Sequence, residues 1–168
     1  MSTFLHDVLH RIDGSLFSDP QSYYRAVAGS FLVSCDNAHA VHPNHPEKTD
    51  AENRSWLNQG LVIKESANQK YTTDAFSRAV MAKVCKKAGV PFQLFANRSD
   101  MVGGSTLGNL SNTQVSMHAV DIGAPQLAMH SAMETAGSMD TLYMYKALRK
   151  YFEMNISIRG AEKISVED

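Results

Sequence analysis

The sequence predicts an α/β fold, a layered mixed sheet flanked by helices. Three observations predict it: short apolar runs of strand length, amphipathic stretches of helical period between them, and mostly brief turn-rich connections. The 168 residues suit one domain, and 43% hydrophobic against 20% charged residues is the balance of a chain that buries a core.

Each element follows from local chemistry. Phe4, Leu5, Val8 and Leu9 share one side of a helix over Thr3 to Ile12, with Gly14 expected to end it. Asp19-Pro20 starts a second short helix, to about Gly29, because Asp accepts from free amides and proline gives up an amide that has no partner. Phe31 to Cys35 is an apolar run read as a strand buried on both faces, with Asp36 at its C-terminal end. Ligands collect at such ends in open α/β sheets.

The polar stretch from His42 to Gln59 is a long loop. Leu61 to Lys64 is the next strand. Thr73 or Asp74 caps a helix with Phe76, Ala79, Val80 and Val84 on one face, and Gly89 with Pro91 stops it. Phe92 to Phe95 and Val115 to Ile122 read as strands. A last helix runs from Ser138 or Asp140 to about Phe152, and the tail from Asn155 is expected to fray.

Composition narrows the function. A formal charge of −1 offers no basic field for a phosphate backbone, which argues against nucleic acid as a partner. No apolar run nears the roughly 20 residues of a membrane span, so no membrane partner is expected and the cytoplasm is the expected compartment. Cys35 and Cys85 are read as reduced, packed thiols.

Two segments carry candidate chemistry. Asp36-x-x-His39-x-x-His42 sets a carboxylate and two imidazoles beside a strand end, a pattern open to metal ligation or to a solvated corner. Asp100-Met101-Val102-Gly103-Gly104-Ser105-Thr106-Leu107-Gly108 suits either an anion at a helix start near Ser105 or a plain glycine turn with a capped helix. No Lys follows its last glycine, so it is not a Walker loop. Lys64, Tyr71 and His130 read alone are a snorkelling cation, a packed ring and a half-buried imidazole.

Taken in order, the motifs carry a resemblance. Ser34-Cys35-Asp36-Asn37-Ala38-His39-Ala40-Val41-His42-Pro43-Asn44, Gly60-Leu61-Val62-Ile63-Lys64, the glycine loop, and Asp121-Ile122-Gly123-Ala124-Pro125-Gln126-Leu127-Ala128-Met129-His130-Ser131 together resemble the aspartyl aminopeptidase family of zinc metallopeptidases, in its bacterial form. The resemblance implies a zinc-aminopeptidase-like catalytic domain using two zinc ions to release an N-terminal, preferentially acidic, residue from a peptide. It implies Asp36 as ligand to one zinc and His130 as ligand to the other, with His39 and His42 in support. Lys64 looks like the cation facing an acidic substrate side chain, with Tyr71, Gly103 and Gly104 lining that pocket. It also implies a homo-oligomer.

The match departs from the family in one respect. A first His ligand, a bridging Asp and a Glu-Glu pair with the general base are expected before Asp36, yet the 35 residues there contain no Glu. Residues 1–168 are therefore expected to be the C-terminal portion of the catalytic domain, without the upstream ligands and the dimerisation domain, and inactive alone. The alternatives are a non-catalytic α/β assembly module and a remnant that binds acidic amino acids or peptides.

Overall fold

The computed structural model, which describes residues 2–159 and 163–167, is organised by four strands lying side by side. They are β1 (Phe31–Cys35), β5 (His118–Gly123), β3 (Leu61–Glu65) and β4 (Phe92–Ala96), in that spatial order. β1 runs parallel to β5 and β3 parallel to β4, while β3 and β5 are antiparallel, so the sheet is mixed, as expected.

One face is covered by α3 (Ala75–Ala88) and α5 (Ser138–Glu153). α3 starts where its chemistry dictates: the Asp74 carboxylate accepts from the Ser77 amide at 2.7 Å, and the Ser77 hydroxyl oxygen accepts from the Asp74 amide. It stops at Gly89, whose φ of +63° is left-handed. Val80, Met81, Val84 and Cys85 pack on Leu61, Ile63, Val120 and Ile122, with Met144 and Ala147 of α5 closing the layer. Each large aliphatic side chain buried there contributes about 1.5–3 kcal/mol.

A second small sheet was not legible in the sequence. β2 (Ala38–His39) pairs in parallel with β6 (Pro125–Leu127), which pairs antiparallel with β7 (Thr135–Ala136). The polar stretch from His42 is the expected loop, broken by a 3-10 turn at Pro46–Lys48.

Several expectations are corrected. β1 is an edge strand, half-buried along Phe31 to Val33, and Cys35 is exposed and not packed. The first helix, α1 (Phe4–Leu16), runs through Gly14, because an interior glycine costs only about 0.5–1 kcal/mol and the Phe17 amide still reaches Asp13 O at 2.9 Å. The second, α2 (Ser22–Ala28), begins just after the Asp19-Pro20 turn. β5 begins at His118 and not at Val115, since the amides of Gln114 and Val115 turn back to Ser111 O after α4 (Leu107–Asn112).

The tail does not fray over its described residues. β8 (Asn155–Arg159) and β9 (Lys163–Glu167) form a hairpin whose Val166, with Met154 just before it, is buried in the main core. Apolar residues at alternate positions of β8 give that hairpin a face to bury.

Candidate metal and substrate site

Asp36 follows β1 directly. Its amide donates to Ile122 O at 3.0 Å, prolonging the pairing by one step, while Oδ1 of its exposed carboxylate accepts from the Asn37 amide at 2.8 Å. Two groups fix this turn from below. Gly123 permits the approach, since a Cβ there would lie 1.9 Å from Asp36 O. The Lys64 ammonium donates to Asp36 O and to Asn37 O, both at 3.2 Å.

His130 lies beyond the end of β6, the parallel partner of the strand that follows Asp36. Asn37 Nδ2 donates to Gln126 Oε1 at 2.7 Å, and His39 stands in register with Gln126 across the β2–β6 pair. Beyond β6 the chain bends through Ala128 (φ +57°) and His130 (φ +69°). Left-handed geometry costs a non-glycine residue roughly 1–2 kcal/mol. The Ser131 amide bond to Ala128 O and the His130 amide bond to Glu134 Oε1 at 2.6 Å hold the bend. The His130 imidazole then acts on His39, whose pKa is lowered first by burial, next by His130 and then by Lys64.

The expected substrate side lies behind this edge. Lys64 is only 2% exposed, its Nζ 5.3 Å above the centre of the buried Tyr71 ring. Burial lowers the Lys64 pKa, opposed by Asp36, Asp121 and Cys35, and burial raises that of Tyr71. Lys64 is therefore no snorkelling side chain. Two of its three donors serve backbone carbonyls, and among the described residues no oxygen takes the third. A cavity of about 380 Å³ opens nearby, lined among others by His39, His42, Tyr71, Arg98, Gly103 and Gly104. Gly103 leaves room for the Asn97 side chain, whose Nδ2 would lie 2.3 Å from a Cβ there and donates to the Tyr71 hydroxyl. Gly104 has open space around it. His42 is exposed at the cavity, its Nδ1 accepting from the Asn44 amide and its ring 5.3 Å from that of His45.

The start of α4 is not an open anion site. Gly108 donates its amide to Ser34 Oγ at 2.9 Å, and a Cβ at Gly108 would lie 2.6 Å from Ser34 Cβ. The glycine lets the helix press on β1.

Four supporting residues escaped the sequence reading: Asn37, Gln126, Gly123 and Asp121. Asp121 is fully buried and faces Lys64 in the β3–β5 register. Its Oδ2 accepts from the amide and hydroxyl of Thr72 at 2.7 and 2.8 Å, which ties the Tyr71 segment to the sheet. The available signal was a carboxylate inside an apolar strand, a position almost never buried without partners.

The second oxygen of Asp36 and both ring nitrogens of His130 make no hydrogen bond within the described residues, so carboxylate and imidazole donors suited to zinc stand free. Among the described residues no three His, Cys, Asp or Glu side chains converge to hold a metal ion. The chain thus offers donors that fit zinc but not a closed set.

A sequence profile described as Aminopeptidase I zinc metalloprotease (M18) matches residues 1–152. The chain belongs to the M18 family. It is 48% identical over 153 residues to a probable M18 family aminopeptidase 2 of Clostridium acetobutylicum, covering 91% of this chain and 35% of that protein. It is 39% identical to a probable aspartyl aminopeptidase of Ricinus communis, covering 90% of this chain and 31% of that one. Among solved M18-like folds, a chain of the Ape4 and Nbr1 complex superposes with a TM-score of 0.87 at 40% identity, covering 90% of this chain and 29% of that one. The mApe1 dodecamer of S. cerevisiae shares the fold at a TM-score of 0.75 and 24% identity, with 89% and 32% covered. The chain therefore spans about a third of the length of its M18 relatives. No helix among its described residues is long and apolar enough to cross a membrane.

Proposed function

We propose that this chain carries one part of a metallo-aminopeptidase active site that releases N-terminal acidic residues from peptides. Asp36 is a ligand to one zinc ion and His130 to a second, with His39 and His42 supporting them. The remaining ligands and the general-base Glu belong to the part of the M18 fold that residues 1–168 do not span. Zinc supplies Lewis acidity at the scissile carbonyl. The chain's own residues bind and orient: Lys64 turns its spare donor toward an acidic substrate side chain, whose burial needs an opposite charge, and Tyr71, Gly103 and Gly104 wall the pocket. The working protein is cytoplasmic and a homo-oligomer; the mApe1 dodecamer of the same fold supports the second point alone.

One observation supports the reading: Asp36 precedes β2, His130 follows its parallel partner β6, and the Asn37–Gln126 bond ties the two strands together. The test is metal content by mass spectrometry after dialysis against zinc, alongside hydrolysis of an aspartyl chromogenic amide. The chain alone is expected to keep less than two equivalents of zinc and to show no turnover. Turnover at ordinary enzymatic rates, lost on Asp36→Ala, would overturn the partition of the site.

A further inference from the structure

We infer that His6 and His10 of α1, with Tyr23 of α2, form a separate transition-metal site that takes a late first-row divalent ion such as zinc. Neither helix supplies a residue to the metal and substrate site described above, so the inference does not depend on that reading.

His6 and His10 stand four residues apart on α1, which sets both imidazoles on one face of the helix. That spacing lets two imidazoles grip one ion, as in helical His-x-x-x-His zinc motifs. The two rings are stacked, with centroids 5.8 Å apart and planes at 17°. The Tyr23 ring makes T-shaped contacts with both, at 5.6 Å from His6 and 5.1 Å from His10.

The hydrogen bonds decide which donors are free. His6 Nδ1 lies 3.1 Å from Asp7 Oδ1. A carboxylate only accepts, so in the neutral ring Nδ1 carries the proton and Nε2 keeps its lone pair. Thr3 Oγ1 donates to the other Asp7 oxygen at 2.7 Å and steadies that carboxylate. A carboxylate behind the imidazole is the common support of a metal-bound histidine.

His10 makes no hydrogen bond through its ring among the described residues. The Tyr23 side chain is only 6% exposed, yet its hydroxyl has no partner among the described residues. Buried hydroxyls are seldom left so, and a metal ion would take the lone pair. Two imidazoles and one phenol oxygen leave the fourth position to water.

The other close imidazole pair is not prepared in this way. The rings of His42 and His45 are 5.3 Å apart, but His42 Nδ1 accepts from the Asn44 amide, which leaves the ring proton on Nε2. On α1 the ion would act as a clip. That helix buries none of its own residues, so a bridge to Tyr23 of α2 stabilises it.

The test uses the full chain carrying Asp36→Ala and His130→Ala, so that zinc at the proposed active site cannot contribute. Zinc is titrated by calorimetry, and the imidazole and tyrosine ring resonances are followed by NMR. One equivalent is expected, with shifts centred on His6, His10 and Tyr23 and a melting temperature raised by several degrees. His6→Gln, His10→Gln and Asp7→Ala should each weaken binding by roughly tenfold or more. Tyr23→Phe should weaken it severalfold. No zinc uptake, uptake kept by the His6→Gln, His10→Gln double variant, or shifts centred on His42 and His45 overturn the site. Equal binding by Tyr23→Phe overturns the third ligand. Zinc that the unaltered chain holds beyond this equivalent reports on Asp36 and His130, so the two readings fail separately.

Discussion

The side-chain amide of Asn37 donates to Gln126 Oε1 at 2.7 Å, and this bond ties the turn bearing Asp36 to the strand that leads to His130. Gln126 is buried, so Asn37→Ala strands its acceptor. A loss of about 1–3 kcal/mol is expected in urea denaturation, with weaker zinc uptake. A change below a few tenths of a kcal/mol would show that the two turns are held by other means.

Gly123→Ala forces a methyl against Asp36 O, which the Lys64 ammonium also grips. Either the strand or the turn must shift, at about 1–3 kcal/mol. Amide NMR shifts of residues 36 and 37 should move. Gly104→Ala is the control, since nothing lies within 4 Å of its new Cβ, and its stability should stay within about 0.5 kcal/mol.

The two thiols should separate cleanly. Cys35 is exposed, whereas burial pushes the Cys85 thiol up to about 12 from 9.0. An aromatic disulfide reagent at pH 8 should label one thiol in the folded protein, and Cys35→Ser should remove that signal. The unfolded chain sheds the Cys85 proton above its ordinary value while the folded chain keeps it. Stability from this source is therefore complete below the ordinary thiol value and declines as pH rises toward the folded one. Cys85→Ala should flatten that decline in melting curves taken across alkaline pH.

Ending the chain after Glu153 removes Met154 and Val166 from the core. At about 1.5–3 kcal/mol for each, the melting temperature should fall by on the order of 10 °C. An unchanged value would mean that the hairpin lies on the fold without supporting it.

The elements that could be read from the chain are those whose signals are local. The Asp74 cap with the Gly89 stop, and the apolar runs at 31–35, 61–65 and 92–96, needed only neighbours in sequence. The small sheet was invisible because Ala38–His39 and Thr135–Ala136 are two residues each and exist only as partners of β6. The C-terminal hairpin was missed for a related reason: its apolar residues look like a weak tail until the core that receives them is known.

By itself the sequence determined the fold class, the order of the main elements and the resemblance that picks out Asp36, Lys64 and His130, because motif identity and periodicity are properties of adjacent residues. Only the tertiary structure decided what those residues touch. Lys64 spends two donors on the Asp36 turn, Asp121 anchors the Tyr71 segment through Thr72, and Asn37 meets a glutamine 89 residues away. Such contacts depend on strand register and on which glycine lets two backbones approach, and neither is set until the sheet has formed.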